Sequence, residues 1–380
     1  MTYQPILART ASAGRASAHG PAERAKGAAL KVEVVRSLQR FAELACEWDA
    51  LASQHETPLA LHGWYAAALD AQRDLAPEVV IPLIWRGQRL VGAAPLMQST
   101  SGPRRLVPID AFTGEPDRIL YSDQAALLAL ADACVGLDQP ILLRRFAAPA
   151  EDAEPFSMRI RKGMPGLMRQ LYQTSCLHLP DSFEALEESM SKSRRKTIRR
   201  KQKMIEKVGG CELEVLTPCE DEVELLLARF ARVENAGWKG RAGTSLMGDP
   251  TMARFISQVA RSFARTGDTK VMFLKIDGQD ASGRVVLKHR QSWCEIKIGY
   301  DEQFKRYSPG IILMHEAFRT AIEDRIRRYR FLGVSEDWQN FWPCERRWDF
   351  RLAAYPVSWI SAGAIWADAR RVIGSLFRNS

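Results

Sequence analysis

Between Phe41 and Leu51 the apolar residues Phe41, Leu44, Ala45, Trp48 and Leu51 fall on one helical face, so Leu38 to Ser53 is predicted as an amphipathic helix. Leu30 to Ser37, before it, reads as a short strand. Thr57-Pro58 interrupts the pattern, a second helix is predicted over Leu61 to Leu75, and Pro77 follows its end. Two strands come next, Val79 to Arg86 and Arg89 to Gln98, with Gly87-Gln88 between them at hairpin spacing. Pro82 and Pro95 point to sheet edges or bulges there, because proline cannot donate to a ladder. Asp123 to Val135 reads as an Ala/Leu-rich helix, and Ile141 to Phe146 and Arg169 to His178 as strands.

The order then restarts. Phe183 to Val208 is predicted as one long helix stopped by Gly209-Gly210. Cys211 to Leu216 follows as a strand, then helices over Asp221 to Asn235 and Pro250 to Arg265. Strands are expected at Lys270 to Asp277, Ala281 to Lys288 and Ser292 to Tyr300, the first two joined at Asp277-Gly278. A helix from Pro309 to Asp324, a strand from Tyr329 to Gly333, short strands near Arg347 to Ala353 and an apolar helix from Ile360 to Phe377 complete the pattern. This repetition implies an α+β fold of two similar halves. The expected division is a disordered tail over residues 1–30, halves over 31–180 and 181–358, and a C-terminal helix over 359–380.

Composition narrows the function classes. The 380 residues are 46% hydrophobic and 26% charged, as in globular proteins. A net charge of +9 favours anionic partners, but much of it is concentrated between Lys192 and Lys207. The 7 cysteines include no C-x-x-C pair, so reduced thiols in a cytoplasmic protein are expected, with neither a disulfide framework nor a zinc site. No secretory signal is evident, and no run of about 18 apolar residues exists to cross a membrane.

A series of short segments carries a family resemblance. Ser191-Lys192-Ser193-Arg194-Arg195 opens a basic helix, and Glu234-Asn235-Ala236-Gly237-Trp238-Lys239 follows another helix. Gly299-Tyr300-Asp301, Tyr307-Ser308-Pro309-Gly310 and Phe331-Leu332-Gly333 come next, the last ahead of an acidic-aromatic stretch. In this order they resemble the GNAT-related acetyltransferase domain of the BioF2-like and CelD (cellulose biosynthesis) type, a relative of the Fem aminoacyl transferases. The resemblance covers residues 180 to 350, and extends weakly back to residue 35 through Trp64-Tyr65 and the hairpin after it. It implies two tandem GNAT-like halves, each a mixed sheet flanked by helices. One departure stands out: where the family commonly has a Tyr-Lys pair, this chain has Trp338-Gln339.

Ser308 suits an N-cap, Pro309 the first helical position, and Gly310 leaves room for a ligand. Free amides at that helix start would seat a phosphate, with Lys305 and Arg306 adding charge. The resemblance makes this the seat of the pyrophosphate of acetyl-CoA or another acyl-CoA, and makes the strand Ser292 to Tyr300 the source of amides for the acyl oxygen. An ordinary capped helix and a plain core strand are the structural alternatives.

Acylation of an amine needs a base, and Glu336, Glu234, His289, Glu295 and Asp301 are candidates. Tyr300 or Tyr307 is a candidate for protonating the leaving thiolate, Trp238 for stacking on an acceptor, Lys239 for meeting an anion, and Trp338 for lining the substrate site. The basic run over 191–207 is either a solvated face or an anion-facing one, for an acidic acceptor, RNA or lipid headgroups. The leading expectation is a metal-independent acyl-CoA-dependent N- or O-acyltransferase acting directly on a sugar, lipid or envelope or polysaccharide precursor. A Fem-like aminoacyl-tRNA-dependent transferase and a non-catalytic anion- or RNA-binding protein are the alternatives.

Overall fold

Alternating apolar residues drive the strands together, and residues 29–376 of the chain are described by a computed structural model. The first part runs β1 (Leu30–Val35), α1 (Leu38–Glu43), α2 (Ala45–Ala52), α3 (His62–Ala71), β2 (Ile81–Arg86), β3 (Arg89–Ala93), β4 (Leu96–Gln98) and β5 (Leu106–Pro108). It continues through β6 (Leu120–Tyr121), α4 (Gln124–Val135), β7 (Ile141–Phe146), α5 (Ala150–Gly163) and β8 (Gly166–His178). Then come α6 (Phe183–Ser189), α7 (Lys192–Glu206), β9 (Cys211–Leu216), α8 (Val223–Asn235), α9 (Trp238–Arg241) and α10 (Pro250–Ala264). The last part holds β10 (Thr269–Ile276), β11 (Gln279–His289), β12 (Ser292–Tyr300), α11 (Pro309–Glu323), β13 (Arg328–Phe331), β14 (Glu345–Ala354) and α12 (Ile360–Leu376).

The mixed α/β architecture has a 4-stranded sheet, β1-β2-β3-β6, and a 10-stranded sheet, β4-β5-β7-β14-β8-β13-β12-β11-β10-β9. The larger sheet crosses the position near residue 180: β14, from the end of the chain, lies antiparallel between β7 and β8. One core packs Trp64 of α3 and Phe255 of α10 with Phe230 and Phe273. A second, around Phe183, Ile198, Phe318 and Tyr329, seats α6, α7 and α11. A third packs α4 and α5 through Leu127 and Phe156.

Several expected elements divide. The helix expected over Phe183 to Val208 breaks at Met190-Ser191, where both residues are extended and the Ser191 Oγ accepts from the Arg194 N–H to start α7. The Leu38 to Ser53 helix divides at Leu44, and the Leu61 to Leu75 helix stops at Ala71 before a single 3-10 turn. Pro95 separates β3 from β4, as an interrupter should, but Pro82 lies in β2, an interior strand, where its carbonyl still accepts from the Ala94 N–H at 3.0 Å. Helix α5 escapes sequence reading because Pro155 sits inside it, yet Phe156 and Ile160 are fully buried.

Candidate active site

Strand β12 serves two neighbours, and they part company along it. Its first residues, Ser292 to Glu295, pair in parallel with Arg328 to Phe331 of β13, and that ladder ends at Glu295 and Phe331. Pairing with β11 continues to Tyr300, but the register slips: Val286 faces Glu295 while Val285 faces Lys297, leaving Ile296 as a bulged residue. Beyond the bulge β12 and β13 diverge. A cavity of about 630 Å³ is lined by β12 from Glu295 to Tyr300, the start of α11, Glu115, and the segment after β13.

Ser308, Pro309 and Gly310 all line this cavity, and nothing lies within 4 Å of a Cβ placed on Gly310, so the tip of α11 is open. Ser308 does not cap with its side chain as expected. A residue before proline avoids the right-handed helical region, and Ser308 takes the left-handed one at φ 53°, ψ 54°. The Ser308 N–H donates to Lys305 O, and the Ile311 and Ile312 N–H groups both donate to Ser308 O. Pro309 has no N–H, so among the described residues Gly310 supplies this tip's amide without a backbone acceptor.

The tip is anchored from below. Arg284 Nη2 donates to Gly310 O at 2.9 Å while Nη1 pairs with Glu295, and Tyr329 OH donates to Glu295 Oε2 at 2.7 Å. Glu295 is thereby committed to a buried ion pair. Of the other donor-site residues, Lys305 lines the cavity, but Arg306 and Tyr307 do not: Tyr307 packs into the core and the Arg306 guanidinium lies 4.5 Å over its ring.

Across the cavity stands the end of α8. Glu234 is 1% exposed; one carboxylate oxygen accepts from Lys239 Nζ at 3.0 Å and the other from the Leu246 N–H at 2.8 Å. Lys239 Nζ also donates to Ile298 O at 2.7 Å, bridging α9 to the free edge of β12. This close approach requires Gly299, since a Cβ there would lie 2.7 Å from Glu234 Cα. Trp238 and Tyr300 line the same side, Trp238 being about half exposed. His289, at the other end of β11, does not line the cavity and is packed beside His55. Asp301 accepts from the Gln303 N–H as a turn cap.

The 3-10 turn Asp337–Phe341 closes the wall near β13. Exposed Glu336 and half-buried Trp338 line the cavity and meet through Trp338 Nε1, which donates to Glu336 Oε2 at 2.6 Å. Gln339 and Trp342 are buried in this wall, and Gln339 Oε1 and Trp342 Nε1 have no hydrogen-bond partner in the protein. Both residues line the cavity, while these two polar atoms are themselves buried.

Among the cavity residues not singled out from sequence are Glu115 and Lys297. Glu115 comes from the first half, on the turn after Gly114 at φ 72°, and its Oε2 accepts from the Gly333 N–H at 2.7 Å. Burial pushes its carboxyl up to about 7, against the lowering effects of that hydrogen bond and of Arg145. Lys297, on the bulged strand, is lowered from its ordinary value by burial, which outweighs Glu234. A lone carboxylate between glycine and proline, 119 residues before Glu234, carried no spacing signal.

Among the described residues no cluster of His, Cys, Asp and Glu has the makings of a metal site, and no helix is long and apolar enough to cross a membrane. Comparison with known proteins gives the wedge a context. Residues 192–340, from α7 to the turn after β13, match the family model described as "Acetyltransferase (GNAT) domain". No curated protein matches the sequence. Among solved structures, FemX is similar over 86% of this chain and 97% of its own, at 11% identity and a TM-score of 0.58. The C-terminal domain of a putative lysylphosphatidylglycerol synthetase from Agrobacterium fabrum is similar over 87% of this chain and 96% of its own, at 10% identity and a TM-score of 0.51. At such identities the likeness is one of fold. The parted strands and the open helix tip both lie within residues 192–340, the segment that is similar to a GNAT acetyltransferase domain.

Proposed function

We propose that the protein is an acyl-CoA-dependent N- or O-acyltransferase that transfers its acyl group directly to an amine or hydroxyl of a sugar, lipid or envelope precursor. The parting of β12 and β13 beside the open tip of α11 carries this reading. The Gly310 N–H and the positive end of α11 receive the donor's pyrophosphate, with Lys305 at the mouth. The wedge between the strands takes the pantetheine arm, and β12 amides beyond the bulge stabilise the acyl oxygen as it gains charge. Acetyl transfer and kinship with the narrower BioF2-like and CelD type belong to this proposal, as do its cytoplasmic setting and the division near residue 180.

On the acceptor side Glu115 is the best placed base. A carboxyl at about 7 is half ionised near neutral pH and accepts a proton readily there. Glu115 takes the proton from the acceptor amine, the nitrogen bonds to the thioester carbon, and the C–S bond breaks as the carbonyl reforms. Tyr300 returns a proton to the leaving thiolate. Glu234 instead orders the loop that carries Trp238 and Lys239, because both of its oxygens are already engaged. Glu336 and Trp338 form the wall against which the acceptor rests. Incubation with acetyl-CoA and a panel of amino sugars and amino lipids, read as free thiol, tests this: acceptor-dependent release is expected, and its absence with every acyl-CoA would count against the reading.

One observation favours a second donor. Lys192, Arg195, Lys196, Arg199, Arg200 and Lys203 form a basic surface on α7, and Lys201 of that helix donates to Arg306 O, two residues before the tip. Such a surface suits a donor carried on RNA, as in an aminoacyl-tRNA-dependent transferase. Charged-tRNA binding that weakens steeply with salt, together with aminoacyl transfer, would select it.

A further inference from the structure

Among the described residues the two most exposed large hydrophobic side chains, Val357 at 91% and Trp359 at 95%, lead into α12. Trp366 is 62% exposed, and Ile360 and Ile365 are half exposed. The Ala362 N–H donates to Trp359 O at 3.2 Å, so Trp359 opens the first turn. Trp366 follows seven residues on, two turns later, and the two rings leave the helix on one face. Exposed Ala362 and Gly363 lie between them, and exposed Arg370 one turn beyond. The opposite face is held by the fold. Ser361 Oγ donates to Pro356 O at 2.6 Å, and Ala364 is fully buried. Buried Asp368 accepts from Arg105 at 2.9 Å, Arg351 at 3.2 Å and Tyr355 OH at 2.6 Å. These contacts fix α12 by its inner face and leave both tryptophans in water, a costly arrangement for a contiguous apolar stripe.

The rim of the stripe is cationic. The Arg370 guanidinium lies 4.5 Å over the Trp366 ring. A Cβ placed on Gly363 would meet Pro103 at 3.9 Å, which sets exposed Arg104 beside the middle of the helix. Arg169 of β8 stands opposite Arg351 of β14, so it shares the sheet face from which Arg351 reaches Asp368, and it is exposed. The one acidic residue between Val357 and Arg370, Asp368, is already shared by Arg105 and Arg351. Among the described residues no carboxylate pairs with Arg104, Arg169 or Arg370.

This charge pattern chooses the occupant. A second copy meeting the stripe face to face across a two-fold axis would set the same three arginines against themselves. An anionic bilayer satisfies both features: indole rings settle at headgroup depth with the aliphatic chains below them, and guanidiniums reach the lipid phosphates. We propose that the outer face of α12, rimmed by Arg104, Arg169 and Arg370, docks the protein on an anionic lipid surface. None of these residues lines the cavity, so the docking face does not rest on the acyltransfer reading. The basic face of α7 holds no aromatic residue, so it attracts anionic lipid by charge alone, whereas α12 inserts.

Co-sedimentation of the full chain with phosphatidylcholine vesicles, with and without phosphatidylglycerol, tests the docking face. The wild type should bind the mixed vesicles, and bind pure phosphatidylcholine at least about tenfold more weakly. Trp359→Ser/Trp366→Ser should melt as the wild type does, because both rings are exposed, and should lose about tenfold or more in affinity for the mixed vesicles. Arg104→Gln/Arg169→Gln should also lose about tenfold or more, since each cation near a charged surface is worth about fivefold. Lipids brominated in their acyl chains should quench the tryptophan fluorescence of the wild type and of Lys196→Gln/Arg199→Gln on α7, but not that of the double tryptophan variant. No binding to mixed vesicles, or binding unchanged by loss of both tryptophans, overturns the proposal. A dimer in sedimentation velocity that the tryptophan variant abolishes gives the face to a second copy and likewise overturns it.

Discussion

The Gly333 N–H donates to Glu115 Oε2 at 2.7 Å, so the first half of the chain holds the segment after β13 and places a carboxylate in the cavity of the second. The Gly333 carbonyl accepts from Arg145 Nη2, also at 2.7 Å, which fixes the same peptide from the other side. Under the proposed reaction this junction sets the distance between base and acyl donor.

Glu115→Gln keeps an acceptor for the Gly333 N–H and removes the base. Acceptor-dependent kcat/KM should fall about 100- to 10,000-fold. In the wild type, activity should rise with pH through about 7, as Glu115 loses its proton, and the variant should lack that rise. Stability moves oppositely. The folded carboxyl lies above its ordinary 4.5, so the folded state holds the proton more tightly and stability is lost as pH climbs from 4.5 past about 7. Thermal denaturation at pH 8 should therefore find Glu115→Gln more stable than wild type, and at pH 4 no different.

Glu234→Gln should separate a structural carboxylate from a catalytic one. Lys239 would lose a charged partner beside α9, costing about 2 kcal/mol by denaturant titration. The pH rise governed by Glu115 should persist in the remaining activity.

Gly299→Ala tests the contact between β12 and α8. The new methyl would lie 2.7 Å from Glu234 Cα, and backbone cannot yield as a side chain tip can. A loss of about 1–3 kcal/mol is expected, read as a lower denaturation midpoint.

Arg145→Met tests the junction between the halves. Arg145 and Asp349 are both buried and paired at 2.7 Å, and removing the cation leaves Asp349 uncompensated. A loss of about 3–5 kcal/mol is expected. The double variant Arg145→Met/Asp349→Leu should recover much of it.

The second half was legible because its signals are local. Asp277-Gly278 marks the β10–β11 hairpin, both residues having positive φ, and Pro309 marks the start of α11. Most residues named for the donor and acceptor sites do line the cavity for the same reason: they lie at strand ends and helix starts that sequence locates. What stayed hidden is non-local. The insertion of β14 between β7 and β8 joins segments about 200 residues apart, and no periodicity records such a pairing. Glu115 reaches the cavity only through that assembly. His289 shows the converse: a strand-end histidine looks cleft-facing in sequence, but β11 presents its opposite end to the cavity. The Ser308 cap failed on a detail of backbone angle, since Ser-Pro reads as a cap whether or not the serine turns left-handed.

Calorimetric titration of acetyl-CoA into the wild type and Gly310→Glu tests the central claim most directly. The open space at Gly310 lets the glutamate fold without a clash, while its carboxylate occupies the place of the donor's diphosphate. Saturable binding by wild type, abolished in a variant of unchanged melting temperature, is predicted. Absence of binding in the wild type, or equal binding in both proteins, would contradict the account.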